Sequence, residues 1–144
     1  MPTVSDILKI KGRQVWTVDY KATVLGALNI LAEKGVGALP VVKDGELVGI
    51  FSERDFARRA AALGKEAMET PVTELMTSKV YYVYPSCTFE ECMSIMTKKH
   101  VRHLPVLEEG KMVGLVSIGD VVKAIISKQE SFIRQLEDYI EGKW

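Results

Sequence analysis

A serine followed three residues later by an aspartate occurs twice, each time where an apolar run gives way to a helical pattern. The pairs are Ser52 with Asp55 and Ser117 with Asp120. A serine at a helix N-cap with an acid at the third helical position forms a capping box, and the cap contributes about 1 kcal/mol. A helix N-terminus also attracts anions, and a nearby carboxylate can accept hydrogen bonds from two ribose hydroxyls. The spacing alone leaves both interpretations open.

Cationic side chains lie near both pairs, but at different positions. The first pair has Arg54 inside the motif and Arg58 and Arg59 in the following helix, whereas Arg102 and His103 precede the second pair. Arginine suits phosphate because its planar fork makes paired, charge-assisted hydrogen bonds. Solvated helix positions are the alternative for Arg58 and Arg59. We therefore expect two inequivalent sites that prefer different ligands or different numbers of phosphate groups.

Other chemistry has little support in the sequence. His100 and His103 have an H-x-x-H spacing, but no carboxylate or thiolate accompanies them, so no metal site is predicted. No serine or cysteine motif stands beside a histidine base, which leaves a hydrolytic triad unsupported. The sequence therefore predicts a binding protein and not an enzyme.

The elements that must position these residues are duplicated. Residues 23–55 align on residues 88–120 at a constant offset of 65, and the Leu-Pro-Val triplet, the Gly of the turn and the Ser-x-x-Asp motif all recur. Residues 4–8 resemble residues 72–76 at an offset of 68, because three extra residues lie within the Lys9 to Gln14 segment. The chain therefore contains two copies of one unit, which we call repeat 1 and repeat 2.

Each repeat is predicted to fold as β-α-β-β-α. Residues 15–18 and 80–83 are rich in β-branched and aromatic side chains, which is typical of short strands. Helical spacing follows from Val24 and from Phe89. Two apolar runs then flank Asp44-Gly45, and two more flank Glu109-Gly110, which predicts a β-hairpin in each repeat. A second helix begins after each motif serine.

This duplicated unit closely resembles a tandem cystathionine-β-synthase (CBS) domain pair, or Bateman module, from Val4 to about Ile126. The motifs concerned are Leu-Pro-Val before each hairpin and Gly-hydrophobic-x-Ser-x-x-Asp after it. We expect an α/β (α+β) fold in which two β-α-β-β-α repeats pack sheet to sheet about a pseudo-two-fold axis and form one cleft per repeat. We assign residues 1–66 to repeat 1, 67–127 to repeat 2 and 128–144 to a C-terminal helical extension.

The resemblance also implies a ligand, since the clefts of such modules bind AMP, ADP, ATP, NAD(H) or S-adenosylmethionine. It implies that Asp55 and Asp120 hold ribose hydroxyls, that Ser52 and Ser117 lie near ribose or phosphate, and that the first strand and the Leu-Pro-Val strand line the adenine pocket. The predicted ligand-binding residues are Val15, Thr17, Ala38, Leu39, Pro40, Ser52, Arg54, Asp55, Arg58, Arg59, Val80, Tyr82, Arg102, His103, Leu104, Pro105, Ser117 and Asp120.

The predicted function is that of a regulatory or sensory module, which binds an adenine nucleotide and signals occupancy through conformation or partner contacts. S-adenosylmethionine is the alternative ligand. The alternative function is an interaction adaptor with vestigial clefts, which is more credible for repeat 1 because Gly37-Ala38 replaces Arg102-His103 there. The partner would be an effector protein that the sequence does not identify.

From Val121 onward the pattern is continuously helical and extends past the repeat. Val122, Ile125, Phe132, Ile133, Leu136, Tyr139 and Ile140 keep an approximate spacing of three to four residues, and Gly142 is the predicted stop. This apolar stripe can fold back onto its own domain or bind a second copy. We favour a homodimer, because CBS pairs commonly form antiparallel dimers.

Composition excludes several classes of protein. The 144 residues include 19 Lys plus Arg and 19 Asp plus Glu, so the formal net charge is zero, which argues against a nucleic-acid polymer as partner but not against one nucleotide. No apolar run approaches the roughly 18 residues of a membrane span, and no signal peptide is visible. Two unpaired cysteines, Cys87 and Cys92, suit a reducing compartment. We therefore expect a cytoplasmic protein.

Overall fold

A β-hairpin followed by a helix forms the centre of each repeat. The computed structural model describes residues 2–142 of the chain. The elements in chain order are α1 (Val4–Lys11), β1 (Val18–Asp19), α2 (Val24–Lys34), β2 (Ala38–Lys43), β3 (Glu46–Ser52), α3 (Glu53–Leu63), a 3-10 helix (Gly64–Glu69), α4 (Val72–Leu75), α5 (Phe89–Lys99), β4 (His103–Glu108), β5 (Lys111–Ser117) and α6 (Ile118–Ile140). This mixture of helices and two small sheets confirms the α+β class.

Both hairpins turn at the predicted dipeptides. Asp44 and Gly45 have φ values of 51° and 82°, and Glu109 and Gly110 have 53° and 78°. Two consecutive left-handed residues are the requirement of a type I′ turn, whose twist matches that of the flanking strands. The strand pairing places Ala38 opposite Ser52 and His103 opposite Ser117. Each hairpin therefore delivers its motif serine to the same end of the sheet.

The first strand of each repeat is shorter than the predicted four residues. In repeat 1 only Val18–Asp19 pairs in parallel with β2, and in repeat 2 only Val83 forms a parallel bridge, to Val106. The predictions of strands over 15–18 and 80–83 were wrong in this respect. In each run the last valine alone is buried, and it is the residue that pairs with β2 or bridges to β4. The residues before each valine have high β-propensity, but a strand begins only where the backbone has a neighbouring strand to pair with.

The described chain packs into two units, each of which combines segments of both repeats. One, which we call the central unit, spans Gln14–Tyr82; the other, the terminal unit, joins the segment up to Arg13 with the chain from Val83 onward. In the terminal unit Thr3 bridges Thr88, and in the central unit Pro71 bridges Thr23. The helix at the start of each repeat, α1 or α4, therefore packs against the remainder of the other repeat.

Each unit has its own apolar core. In the central unit nine buried side chains form one cluster, in which the fully buried Phe51 lies with residues of α2, β2 and α4. In the terminal unit Leu8 of α1 is 2% exposed and packs against Gly114 of β5. Cys92 is buried on the inner face of α5, where burial, with smaller contributions from Cys87 and Glu91, raises the pKa of its thiol to about 12. That cysteine therefore has a structural role.

The C-terminal prediction is confirmed as far as the structure describes it. Helix α6 continues to Ile140, and Lys143 and Trp144 lie outside the described residues. Its second half does not fold back on its own domain, because Phe132, Leu136 and Tyr139 are 59%, 46% and 66% exposed. Across residues 2–142, none of the helices combines the length and the apolar character needed to cross a bilayer.

Candidate functional site

The Ser-x-x-Asp motifs form complete capping boxes in both repeats. The backbone N–H of Asp55 donates to Ser52 Oγ at 3.1 Å, and the N–H of Ser52 donates to Asp55 Oδ2 at 3.1 Å. The equivalent distances between Asp120 and Ser117 are 3.1 and 2.8 Å. The structural interpretation of the motif is therefore confirmed, and any ligand would meet a carboxylate that is already held in place by its own helix.

The segment before each hairpin is tied to the first turn of the same helix. The carbonyl of Arg102 accepts a hydrogen bond of 2.8 Å from the N–H of Ile118, and Gly37 accepts one of 3.1 Å from Glu53. His103 pairs with Ser117 across the hairpin. In repeat 2 the structure thus gathers Arg102, His103, Ser117 and Asp120 at the N-terminus of α6, a place suited to an anion.

Repeat 1 has the same backbone arrangement with fewer cations at this point. Gly37 and Ala38 occupy the positions of Arg102 and His103, and Ala38 is buried. Arg54 lies half-buried in the first turn of α3, whereas Arg58 is exposed and makes no hydrogen bond or ion pair with any of residues 2–142. The two repeats therefore differ, as predicted, in which positions near the motif carry a cationic side chain.

Arg59 has a structural partner. Its guanidinium Nη1 donates to the carbonyls of Leu75 at 3.1 Å and Met76 at 2.8 Å, which end α4. The last carbonyls of a helix have no partner within the helix, so a cation at this place satisfies them. Arg59 therefore connects α3 to α4 within the central unit. This contact differs from both roles expected from the sequence, a solvated helix charge and a phosphate contact.

The other predicted pocket residues differ widely in exposure. Leu39, Pro40, Leu104 and Pro105 are buried, and Leu39 and Leu104 are fully buried core side chains. Their side chains hold the hairpins in place. The first-strand residues are more accessible: Val15 and Val80 are half-buried, whereas Thr17 and Tyr82 are exposed.

Two residues beside the capping carboxylates were missed by the sequence prediction. Lys11 Nζ donates to Asp120 Oδ2 and to the carbonyl of Leu115, each at 2.7 Å. In the other repeat the Thr77 hydroxyl donates to Asp55 Oδ1 at 3.2 Å. The only signal for Lys11 was its place in the three-residue insertion, and nothing local marks Thr77.

The electrostatic state of Asp120 follows from these contacts. Burial acts to raise the pKa of this carboxyl, but hydrogen bonds from Lys11 and Ser117 and the positive charge of Lys11 outweigh it, so the pKa lies below its usual value. Asp120 is therefore ionised at neutral pH and is a competent hydrogen-bond acceptor. Within residues 2–142, three or more His, Cys, Asp or Glu side chains nowhere gather into a group suited to a metal ion.

Comparison with known proteins gives consistent matches. A family model, the CBS domain, matches twice, over residues 3–62 and 72–127. The mitochondrial CBS domain-containing protein CBSX3 of Arabidopsis thaliana is 38% identical, with 97% of this chain and 72% of that protein covered. The crystal structure of the CBS domain protein NE2398 is 46% identical with a TM-score of 0.83, over 88% of this chain and 99% of that chain.

Two similar solved structures hold adenosine compounds. CBSX2, in complex with AMP, is 30% identical with a TM-score of 0.72, over 90% of this chain and 99% of its own. The CBS domain pair of MJ0100, in complex with 5′-methylthioadenosine and S-adenosyl-L-methionine, is 25% identical with a TM-score of 0.78, over 89% of this chain and 98% of its own. With its two capping-box repeats and its two family matches, the chain belongs to the CBS-domain family and contains a CBS pair.

Proposed function

We propose that this chain is a non-catalytic regulatory module that binds an adenosine ligand beside the N-terminus of α6. The observation that carries the proposal is the gathering of Arg102, His103, Ser117 and Asp120 at that helix end. An ionised carboxylate can accept ribose hydroxyls, while the arginine fork and the helix N-terminus favour a phosphate. The AMP complex of CBSX2 supports a ligand of this class.

The two repeats would differ in what they bind. Repeat 1 offers Gly37 and Ala38 where repeat 2 offers Arg102 and His103, so a phosphate group has fewer cationic partners there. We therefore expect nucleotides such as AMP, ADP, ATP or NAD(H) to bind repeat 2 more tightly. S-adenosylmethionine, which lacks phosphate, would discriminate less between the repeats, and the ligand class of MJ0100 makes it a necessary member of the test.

The experiment is calorimetric titration with AMP, ADP, ATP, NAD, NADH, S-adenosylmethionine and plain adenosine. The deciding variant is Arg102→Gly with His103→Ala, which gives repeat 2 the residues of repeat 1 and leaves both capping boxes intact. AMP affinity should fall roughly tenfold or more, because a charge-assisted contact is lost, while adenosine affinity changes less. Arg134→Ala on the exposed part of α6 is the matched control.

Asp120→Ala and Asp55→Ala then test each repeat separately, with thermal unfolding measured in parallel since each also removes a cap. If no member of the panel binds, the adaptor function replaces the proposal. Turnover of any ligand would instead identify an enzyme. Two equal, independent sites for AMP would contradict the proposed difference between the repeats.

Signalling requires a partner that responds to ligand, and we propose that the first partner is a second copy of the chain. Supporting this, the second half of α6 presents exposed Phe132, Ile133, Leu136 and Tyr139. A ligand shifts a dimer between arrangements only if it binds one of them more tightly. Sedimentation should give a smaller species when the chain from Phe132 onward is deleted, and an unchanged mass would count against this role of α6.

A further inference from the structure

A cavity of about 640 Å³ lies in the terminal unit, between α1, the first turn of α5 and α6. Its apolar wall is formed by Ile7, Ile10, Phe89 and Ala124. Among the eighteen residues predicted to bind the nucleotide, only Asp120 lines this cavity. The cavity is therefore distinct from the site proposed above, although the two share one carboxylate.

The two repeats differ at one side chain and in one helix length, and these differences leave the space open. Ala124 occupies the repeat position of Arg59, at the offset of 65. In the central unit the side chain of Arg59 reaches from α3 to the carbonyls that end α4. In the terminal unit the side chain at this position is the single methyl group of Ala124. Helix α1, with eight residues, is also twice as long as α4, with four. One substitution and a longer helix thus leave a concave surface where the other repeat has a bridging side chain.

Charge at the rim selects the kind of molecule that fits. Lys123 and Lys128 line the cavity and have no ion-pair partner among residues 2–142. The two carboxylates in the wall are already engaged: Asp6 accepts from the N–H of Thr3 at 2.9 Å, and Asp120 accepts from Lys11. With Lys11 the lining holds three ammonium groups against the two carboxylates, so the cavity has a net positive charge that repels a cation and attracts an anion.

We propose that this cavity binds a small amphipathic anion, with its apolar chain or ring against Ile7, Ile10 and Phe89 and its single anionic head group between Lys123 and Lys128. The volume lies within the roughly 300–1,000 Å³ of small-molecule sites. A carboxylate and a phosphate monoester share the required chemistry. This proposal does not depend on nucleotide binding elsewhere in the molecule.

Methyl NMR of the isoleucine-labelled full chain gives a direct test. Decanoate and decyl phosphate are the anionic probes, decanol is the neutral probe and decyltrimethylammonium is the cationic one. We expect saturable shifts at the methyl groups of Ile7 and Ile10 with the anions, and affinity at least about tenfold lower for decanol. The relative affinities of decanoate and decyl phosphate identify the preferred head group.

Three variants complete the test. Ala124→Arg should abolish the shifts, because it places in the cavity the side chain that the other repeat has at this position. Lys123→Ser with Lys128→Ser should bring decanoate affinity down to that of decanol, whereas Lys111→Ser, outside the cavity, should change nothing. If Ala124→Arg fails to fold, as judged by circular dichroism, the double lysine variant decides.

Three results would overturn the proposal. Decanol could bind as tightly as decanoate, which would make the lysines irrelevant. A folded Ala124→Arg could bind decanoate as well as the original chain does, which would place the ligand elsewhere. Finally, the Ile7 and Ile10 signals could shift with protein concentration and not with ligand, which would show that a second copy of the chain occupies this surface.

Discussion

The carboxylates of Asp55 and Asp120 close the same capping box but face different neighbours. Asp55 meets the neutral hydroxyl of Thr77, whereas Asp120 meets the ammonium group of Lys11. The helix caps, the hairpins and the turn geometry are alike in the two repeats, so the difference does not come from the fold. It comes from the segment at the start of each repeat, because three additional residues in repeat 1 lengthen α1 to Lys11.

Lys11 uses its ammonium group for the two contacts that Thr77 makes with its backbone N–H and its hydroxyl. The N–H of Thr77 donates to the carbonyl of Ile50 at 2.8 Å, and its hydroxyl donates to Asp55. Lys11 Nζ donates to the carbonyl of Leu115, the repeat equivalent of Ile50, and to Asp120. The duplicated fold therefore tolerates a strand-like segment and a helix at the same position, provided that the same two acceptors are satisfied, and the second solution brings a positive charge to the site.

The largest effect on stability should come from Gly114 and Gly49, the glycines against which Leu8 and Met76 pack. A Cβ at Gly114 would approach Leu8 Cδ2 to 2.7 Å, and Leu8 is 2% exposed and has little room to move. Gly114→Ala should therefore cost about 1–3 kcal/mol of unfolding free energy. Gly49→Ala meets the half-buried Met76, whose flexible side chain can turn aside, so its cost should be smaller. Urea titration of both variants tests this, and equal costs would remove the difference between the segments.

A smaller effect is expected at Arg59. Arg59→Ala leaves the carbonyls of Leu75 and Met76 without their donor, and we expect a loss of about 1 kcal/mol because both acceptors can partly rehydrate. Arg58→Ala is the matched control on the same helix and should change stability little. Thermal and urea unfolding measure both variants, and equal destabilisation would show that the bridge between α3 and α4 adds no stability of its own.

The smallest effect should be that of Lys11→Met, and it should depend on pH. The pKa of Asp120 is lowered in the folded state, so its contribution to stability is present above the unfolded pKa and is lost as pH falls through the folded pKa. At neutral pH we expect the variant to lose less than about 1 kcal/mol, since solvent screens this partly exposed pair.

The difference should vanish once the pH has fallen through the lowered folded-state pKa of Asp120, because its carboxyl is then protonated in both proteins. Urea titrations across the acid range give the measurement, with Lys9→Met on the same helix as control. A difference that is independent of pH would mean that Lys11 acts through packing along its aliphatic stem and not through its charge. The difference in charge between the two repeats would then contribute nothing to the free energy of unfolding.

Local signals in the sequence were sufficient for the hairpins and the main helices. Asp44-Gly45 and Glu109-Gly110 specify their turns through the residues themselves, and the apolar spacing from Val24 or Phe89 specifies a helix face. The repeat offset also located the motif serines and aspartates, because both copies carry them in the same order.

Long-range contacts were beyond such signals. Lys11 lies 109 residues from Asp120, and Thr77 lies 22 residues from Asp55, so no window around either pair contains its neighbour. The shortened strands have the same cause, because Val83 pairs only where Val106 is available. The bridging role of Arg59 and the space at Ala124 depend on where α4 and α1 end, which side-chain spacing within α3 and α6 does not reveal.

The packing of α1 against β5 has a consequence for synthesis of the protein. This helix leaves the ribosome before its partner strand, which is encoded about a hundred residues later. At translation rates of about 5–20 residues per second, the apolar face of α1 remains without its partner strand for roughly 5–20 s. The central unit, whose residues are contiguous, can complete its core during that interval. Nascent chains should therefore become resistant to protease first between Gln14 and Tyr82, and the N-terminal helix should be protected last.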